Sequence, residues 1–161
     1  MTQVAVFWTI AAATLAWAFG DACRLLRRQL AVARLVWTAG AVAFVIHSVS
    51  AFVLLYDGSH GRALAETARQ TAAMTGVDSG AGLYVNYLFL AIWIADCAWW
   101  WTVDPGAGGR FSRLGWARVG FFLFMFINGA VIFADGWMRT IGLVAVIAVT
   151  GALVARAAGR S

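Results

Sequence analysis

Five apolar stretches, each close to the length needed to cross a bilayer, occupy most of this chain. A hydrocarbon core about 30 Å thick takes roughly 20 apolar residues per helix. The stretches run Val4–Cys23, Leu35–Tyr56, Gly82–Val103, Trp116–Ala134 and Trp137–Ala155. Inside lipid every backbone N–H and C=O must be satisfied within the protein, which leaves helices or closed barrels. The stretches are continuously apolar rather than alternating, so the barrel reading fails. With 63% hydrophobic and 12% charged residues, a soluble core would have nothing to cover it. The expected class is an all-α integral membrane protein: five transmembrane helices and one short outer surface helix, forming a single bundle over residues 1–161.

The arginines between the stretches alternate by side. All twelve basic residues are arginine. Arg24, Arg27, Arg28, Arg34, Arg110, Arg113, Arg118, Arg156 and Arg160 fall on one side, and Arg62, Arg69 and Arg139 on the other. Cytoplasmic loops hold the excess of positive charge. The N-terminus is therefore expected outside and the C-terminus in the cytoplasm of a bacterial-type inner membrane. Met1-Thr2-Gln3 lacks the charged start of a cleavable signal, so the first stretch reads as a true span. The net charge of +5 reads as topology plus attraction to anionic lipid. A nucleic-acid partner would need a basic face on a soluble domain, and none is present. Cys23 and Cys97 sit on the reducing side and read as small buried hydrophobes.

Two connections are informative. Asp104-Pro105-Gly106 is a helix stop, because proline breaks the hydrogen-bond ladder and glycine frees the turn. Asp57–Ala81 is the longest connection, and its spacing predicts a short helix from Arg62 to Thr75. Arg62, Glu66, Arg69 and Gln70 share one face of it, with Arg62–Glu66 as a helix pair and Gly76 as the C-cap. A long structured loop in so small a protein is a natural seat of function. Small residues at four-spacing, Ala12, Ala16 and Gly20 on the first span and Gly151 and Ala155 on the last, mark candidate helix contacts. Trp8, Trp37, Trp116, Trp137, Tyr56 and Tyr84 lie near helix ends and read as interfacial anchors, as does the run Trp99-Trp100-Trp101.

Polar residues inside the spans carry the functional expectation, because ionisable groups in hydrocarbon are costly. His47 lies in the middle of the second span. It suits a metal or haem ligand, a proton-transfer group or a buried hydrogen-bond partner. Asn86 and Asn128 lie at similar depth, and with Tyr87 and Ser48 they outline a candidate polar cavity open to the outside. Their alternative role is hydrogen bonding across helices. His60 stands in the turn before the surface helix; His47, His60 and Glu66 form a candidate metal set compatible with copper or zinc. Asp96 and Asp21 form a second group near the inner ends, within reach of Arg24 or Arg118. Interhelical pairing and a proton relay are both open for it. Asp135 is expected at the outer end of the fourth helix, paired with Arg139.

No hydrolase triad, paired catalytic carboxylates, HExxH or CxxC motif is present, so the sequence assigns no reaction. The first expectation is a metal, haem or small ligand in an outward-facing cavity centred on His47. The alternative is a non-catalytic subunit or self-assembling structural protein, partnered by lipid and by copies of itself or a larger membrane complex. A channel or transporter ranks third.

Overall fold

The computed structural model describes residues 2–103 and 113–159. The chain is helical throughout, with no strand among the described residues. Six helices follow in order: α1 (Thr2–Leu26), α2 (Leu30–Tyr56), α3 (His60–Thr75), α4 (Ala81–Thr102), α5 (Arg113–Ile127) and α6 (Gly136–Ala158). All but α3 are long and apolar enough to cross a membrane, α5 together with a π-helical turn at Asn128–Ile132 that continues it. Two boundaries move from those read off the sequence. α2 begins at Leu30 rather than Leu35, so that Arg34 lies within the helix and reaches the end of α4 in a part-buried contact. α5 changes pitch at Asn128 rather than running on to Ala134. The stop at Asp104-Pro105-Gly106, with Arg110 and Arg160, lies outside the described residues.

The five long helices close a ring: α1 packs on α2 and α6, α2 on α4, α4 on α5, and α5 on α6. One end of the ring carries α3 and the other carries most of the arginines. Glycine sets the closest approaches. A Cβ on Gly20 would lie 2.7 Å from Trp37, and one on Gly40 would lie 2.7 Å from Ala16. Ala16 and Gly20 therefore pack as the small-residue row suggests, whereas Ala12 is exposed. On α6 the close contact is at Gly142, where a Cβ would overlap the Ala130 carbonyl. Gly151 and Ala155 instead face outward, so the row read on the last span is not a helix contact among the described residues.

The interior is aromatic. Trp17, Trp37, Trp93, Phe89 and Phe122 are all fully buried. Phe89 meets Phe44, Trp93, Phe122 and Phe126 with centroids 4.7–5.6 Å apart, and Trp17 stacks on Phe126 at 4.2 Å. Trp37, read as an anchor from its place near a helix end, is core. It packs on Gly20 of α1, on Trp93 and Trp100 of α4 and on Phe122 of α5, and burial of a large ring wins over the interface. Trp8, Trp99, Trp101, Trp116 and Trp137 are exposed, as anchors would be; Trp100 between them is buried.

α3 is amphipathic and lies against α4 and α2. Ser59 caps it by accepting from Arg62 N, and Gly76 closes it at φ 75° with its N–H on Ala72 O. The ion pairs differ in part from the spacing argument. Arg62 pairs with Asp57, and Glu66 pairs with Arg69 and Gln70 instead. Asp57 sits in a left-handed turn just before the cap.

Candidate functional site

The residues expected to carry function fall into three places. At the arginine-rich end, Asp21 and Arg24 of α1, Asp96 of α4 and Arg118 of α5 meet inside the ring. Arg118 Nη2 donates to Asp21 Oδ1 at 2.6 Å, and Arg24 Nη1 donates to Asp96 Oδ2 at 2.6 Å. Arg118 Nε lies 3.6 Å from the other Asp96 oxygen. Trp17 Nε1 donates to Asp21 Oδ2 at 3.0 Å, one turn back along α1. The side chains are 0–11% exposed. Guanidinium faces add to the enclosure: Arg24 lies 3.5 Å over Trp100, and both Arg24 and Arg118 lie 4.9 Å from Trp37. Two cations and two anions form a closed, formally neutral set that joins α1, α4 and α5. Asp21 and Asp96 therefore sit in interhelical pairs with the arginines the sequence made available to them.

Around this set, further arginines cap helix ends. Arg34 of α2 reaches the Trp100 and Val103 carbonyls at the end of α4, at 3.3 and 3.4 Å. Arg156 of α6 donates to Leu25 O at the end of α1, at 2.7 Å. At the opposite end Arg139 Nε reaches the Val131 and Ala134 carbonyls and its Nη2 reaches Asp135. The last carbonyls of a helix lack internal donors and carry the negative end of its dipole, so a guanidinium suits them. These carbonyl contacts were not legible in the sequence, where Arg34 and Arg156 counted only as topology signals. Asp135 takes its expected partner but stands at the start of α6.

The second place is the surface contact between α3 and α4. His60 Nδ1 lies 3.2 Å from the Tyr87 hydroxyl and Nε2 lies 3.4 Å from that of Tyr84. All three are exposed. His60 thus meets Tyr87, expected near His47, and Tyr84, expected only as an anchor. Glu66, engaged by Arg69 and Gln70, has its carboxyl lowered to about 2 by those hydrogen bonds. Among the described residues no three His, Cys, Asp or Glu side chains gather to hold a metal ion. His47, His60 and Glu66 accordingly keep separate partners.

The third place is the half of the ring toward α3. His47 Nδ1 lies 3.0 Å from Val6 O of α1. Ser48 Oγ donates to Phe44 O, and Asn128 Nδ2 donates to Phe124 O, each within its own helix. No hydrogen bond joins His47, Asn86 and Asn128 to one another. Asn86 is nonetheless informative. On α4 the buried residues Leu83, Phe89, Trp93, Cys97 and Trp100 form one stripe, and Asn86 falls in the middle of it at helical spacing. It is exposed all the same. Phe89 and Trp93 bind α4 to Phe121, Phe122 and Phe126 of α5. Above them the π turn packs on α6. The ring is closed by aromatic side chains through its middle, and Asn86, on the α4 stripe beyond them, is exposed.

Phe44 and Phe89 meet at 5.0 Å across the antiparallel pair α2 and α4. His47 and Asn86 each lie one turn from that pair toward α3, on the facing stripes. Asn128 lies two residues beyond Phe126 in the same direction. His47 and Asn86 thus stand above one aromatic floor, made by Phe44, Phe89 and Phe126, whereas Asn128 falls on the other face of its helix. Compared with protein-family models, with curated proteins and with solved structures, the chain matches none.

Proposed function

We propose that this protein binds a small ligand in a polar vestibule between α2, α4 and α5, centred on His47 and floored by Phe44, Phe89 and Phe126. The carrying observation is Asn86, a polar side chain left accessible in the middle of an otherwise buried stripe. An amide exposed to hydrocarbon is costly, whereas the same amide lining a wet or ligand-filled recess is satisfied. The aromatic floor and the four-charge set beneath it favour a blind recess over a through path, which ranks binding above transport. The proposed orientation follows the arginines. The vestibule opens to the outside, and the four-charge set faces the cytoplasm of a bacterial-type inner membrane.

The test is what the detergent-purified protein carries. Absorption spectra of oxidised and reduced samples, elemental analysis and mass spectrometry of extracted organic molecules would be compared between wild type and His47→Ala. A bound species present in wild type and lost in the variant, with helical content retained, is expected. Identical bound content in both would remove the vestibule reading. A second reading, an assembly subunit, is favoured by the open face of α6 around Gly151, where a Cβ would meet none of the described residues. It expects a homo-oligomer or larger complex that carries nothing.

A further inference from the structure

We infer that two copies of this chain pair through the outward face of α5, where Asn128 of one copy exchanges hydrogen bonds with Asn128 of the other. Such a pair goes beyond both readings of function, since it neither requires a ligand at His47 nor uses the α6 face. On α5 the buried residues Val119, Phe122 and Phe126 mark the side turned into the ring. Two residues past Phe126 is about 200° around the helix, so Asn128 points the other way. It shares that outward face with Ala117, Gly120 and Phe124, all exposed. The span runs from Arg113 to Ile132. Asn128 therefore lies about 6 Å inside its outer end, among hydrocarbon rather than headgroups.

The amide is only partly engaged there. Nδ2 donates to Phe124 O, one turn back on the same helix, at 2.8 Å. Its second N–H and its Oδ1 acceptor are left over. Lipid tails match neither, and an unmatched polar group in hydrocarbon is costly. A second copy matches both by symmetry. Copies inserted with one topology run parallel and stand at equal depth, so a two-fold axis along the membrane normal sets Asn128 opposite itself. A remaining donor and a remaining acceptor on one amide are self-complementary: each Nδ2 donates to the Oδ1 of the other copy. So short a side chain reaches across only if the backbones come close, and this face permits that. A Cβ at Gly120 would meet no described atom within 4 Å, and the same holds at Gly129 beside the amide. Glycine weakens a helix relative to alanine, and close interhelical packing is what offsets that in lipid. Arg113, at the inner end of the same face, lies at the headgroups, where water and salt screen it from its copy.

The test reconstitutes the full chain, carrying a donor or an acceptor fluorophore at its C-terminus, into phosphatidylcholine vesicles. Energy transfer is followed as added lipid dilutes the protein. Wild type is expected to associate reversibly. Asn128→Leu is expected to weaken association about tenfold, the weight of a reciprocal pair of interhelical hydrogen bonds, with helical content unchanged. Asn128→Gln keeps the amide and is expected to retain most of the affinity. If Asn128→Leu does not fold, Gly120→Ile carries the comparison. Its side chain has open space in its own copy but stands in the way of the other, so it too is expected to weaken association. Gly151→Ile on α6 is expected to change nothing. Wild type that stays monomeric at the highest protein-to-lipid ratio overturns the pairing. So does undiminished association in folded Asn128→Leu or, should that variant not fold, in Gly120→Ile. Loss of association in Gly151→Ile alone also overturns it and leaves the assembly reading on α6 standing.

Discussion

Asp21 is fully buried, and its two carboxylate oxygens are held by Trp17 and Arg118. Removing one partner of a buried pair leaves a charge with no compensation, at a cost of about 3–5 kcal/mol. Arg118→Gln is therefore expected to lower stability by that order, read as the midpoint of denaturant unfolding in detergent. Asp21→Asn in the same chain removes the stranded charge and is expected to restore a large part of the loss. Additive losses in the double variant would mean that the two residues act separately. The pairing was half legible: two carboxylates and two arginines near the same helix ends invite it. Invisible was the division of partners, because Arg24 crosses to Asp96 rather than to Asp21, three residues away on its own helix. One helical turn places Asp21 against α5 and Arg24 against α4, and that depends on how the ring closes. The polar residues of the outer half were legible as a set of similar depth, but their partners were not. Ser48 and Asn128 bond to their own helices, which spacing alone does not reveal.

At the scale of elements, two glycines on α6 make opposite predictions. Gly142→Ala pushes a methyl group into the Ala130 carbonyl of the π turn and is expected to destabilise by about 1–3 kcal/mol, as overpacking does. Gly151→Ala meets open space and is expected to be neutral, or to stabilise by up to about 1 kcal/mol through helix propensity. Thermal unfolding of both variants in one detergent checks the contrast, and equal shifts would contradict the α5–α6 packing. Helix α3 gives a pH prediction. The Glu66 carboxyl is lowered to about 2 by its hydrogen bonds to Arg69 and Gln70. A lowered carboxylate contributes above its ordinary range and loses that contribution as pH falls through the lowered value. The Glu66 contacts should persist on acidification past pH 4 and yield near 2. The carboxyl carbon shift of Glu66 in an NMR titration reads this directly. The spans and α3 were legible because length, apolar runs and a cap residue are local signals. The π turn was not, because Asn128–Ile132 differs from an α-helix only in its hydrogen-bond register.

For the whole molecule, the proposed orientation predicts where reporters can be reached. A reporter fused after Gly159 should fold in the cytoplasm, and a cysteine placed at Ser59 should react with an impermeant reagent added from outside. The reverse labelling would turn the molecule over and place the vestibule on the cytoplasmic side. Arginines serve the assembled ring as well as its orientation, and their partners are far away in the chain. Arg34 waits for carbonyls 66 and 69 residues later, and Arg156 closes on one 131 residues earlier. While the chain is being made, the Arg34 guanidinium is therefore an unclaimed charge that can hold its loop back from crossing. Only once α4 has been inserted does the same group become a latch on that helix. A lysine there would still hold the loop back, yet its ammonium lacks the flat face that the Arg34 guanidinium lays over the Trp101 ring at 4.2 Å. Arg34→Lys should thus keep the topology and loosen the finished protein, which separates in one residue the moment of insertion from the moment of assembly.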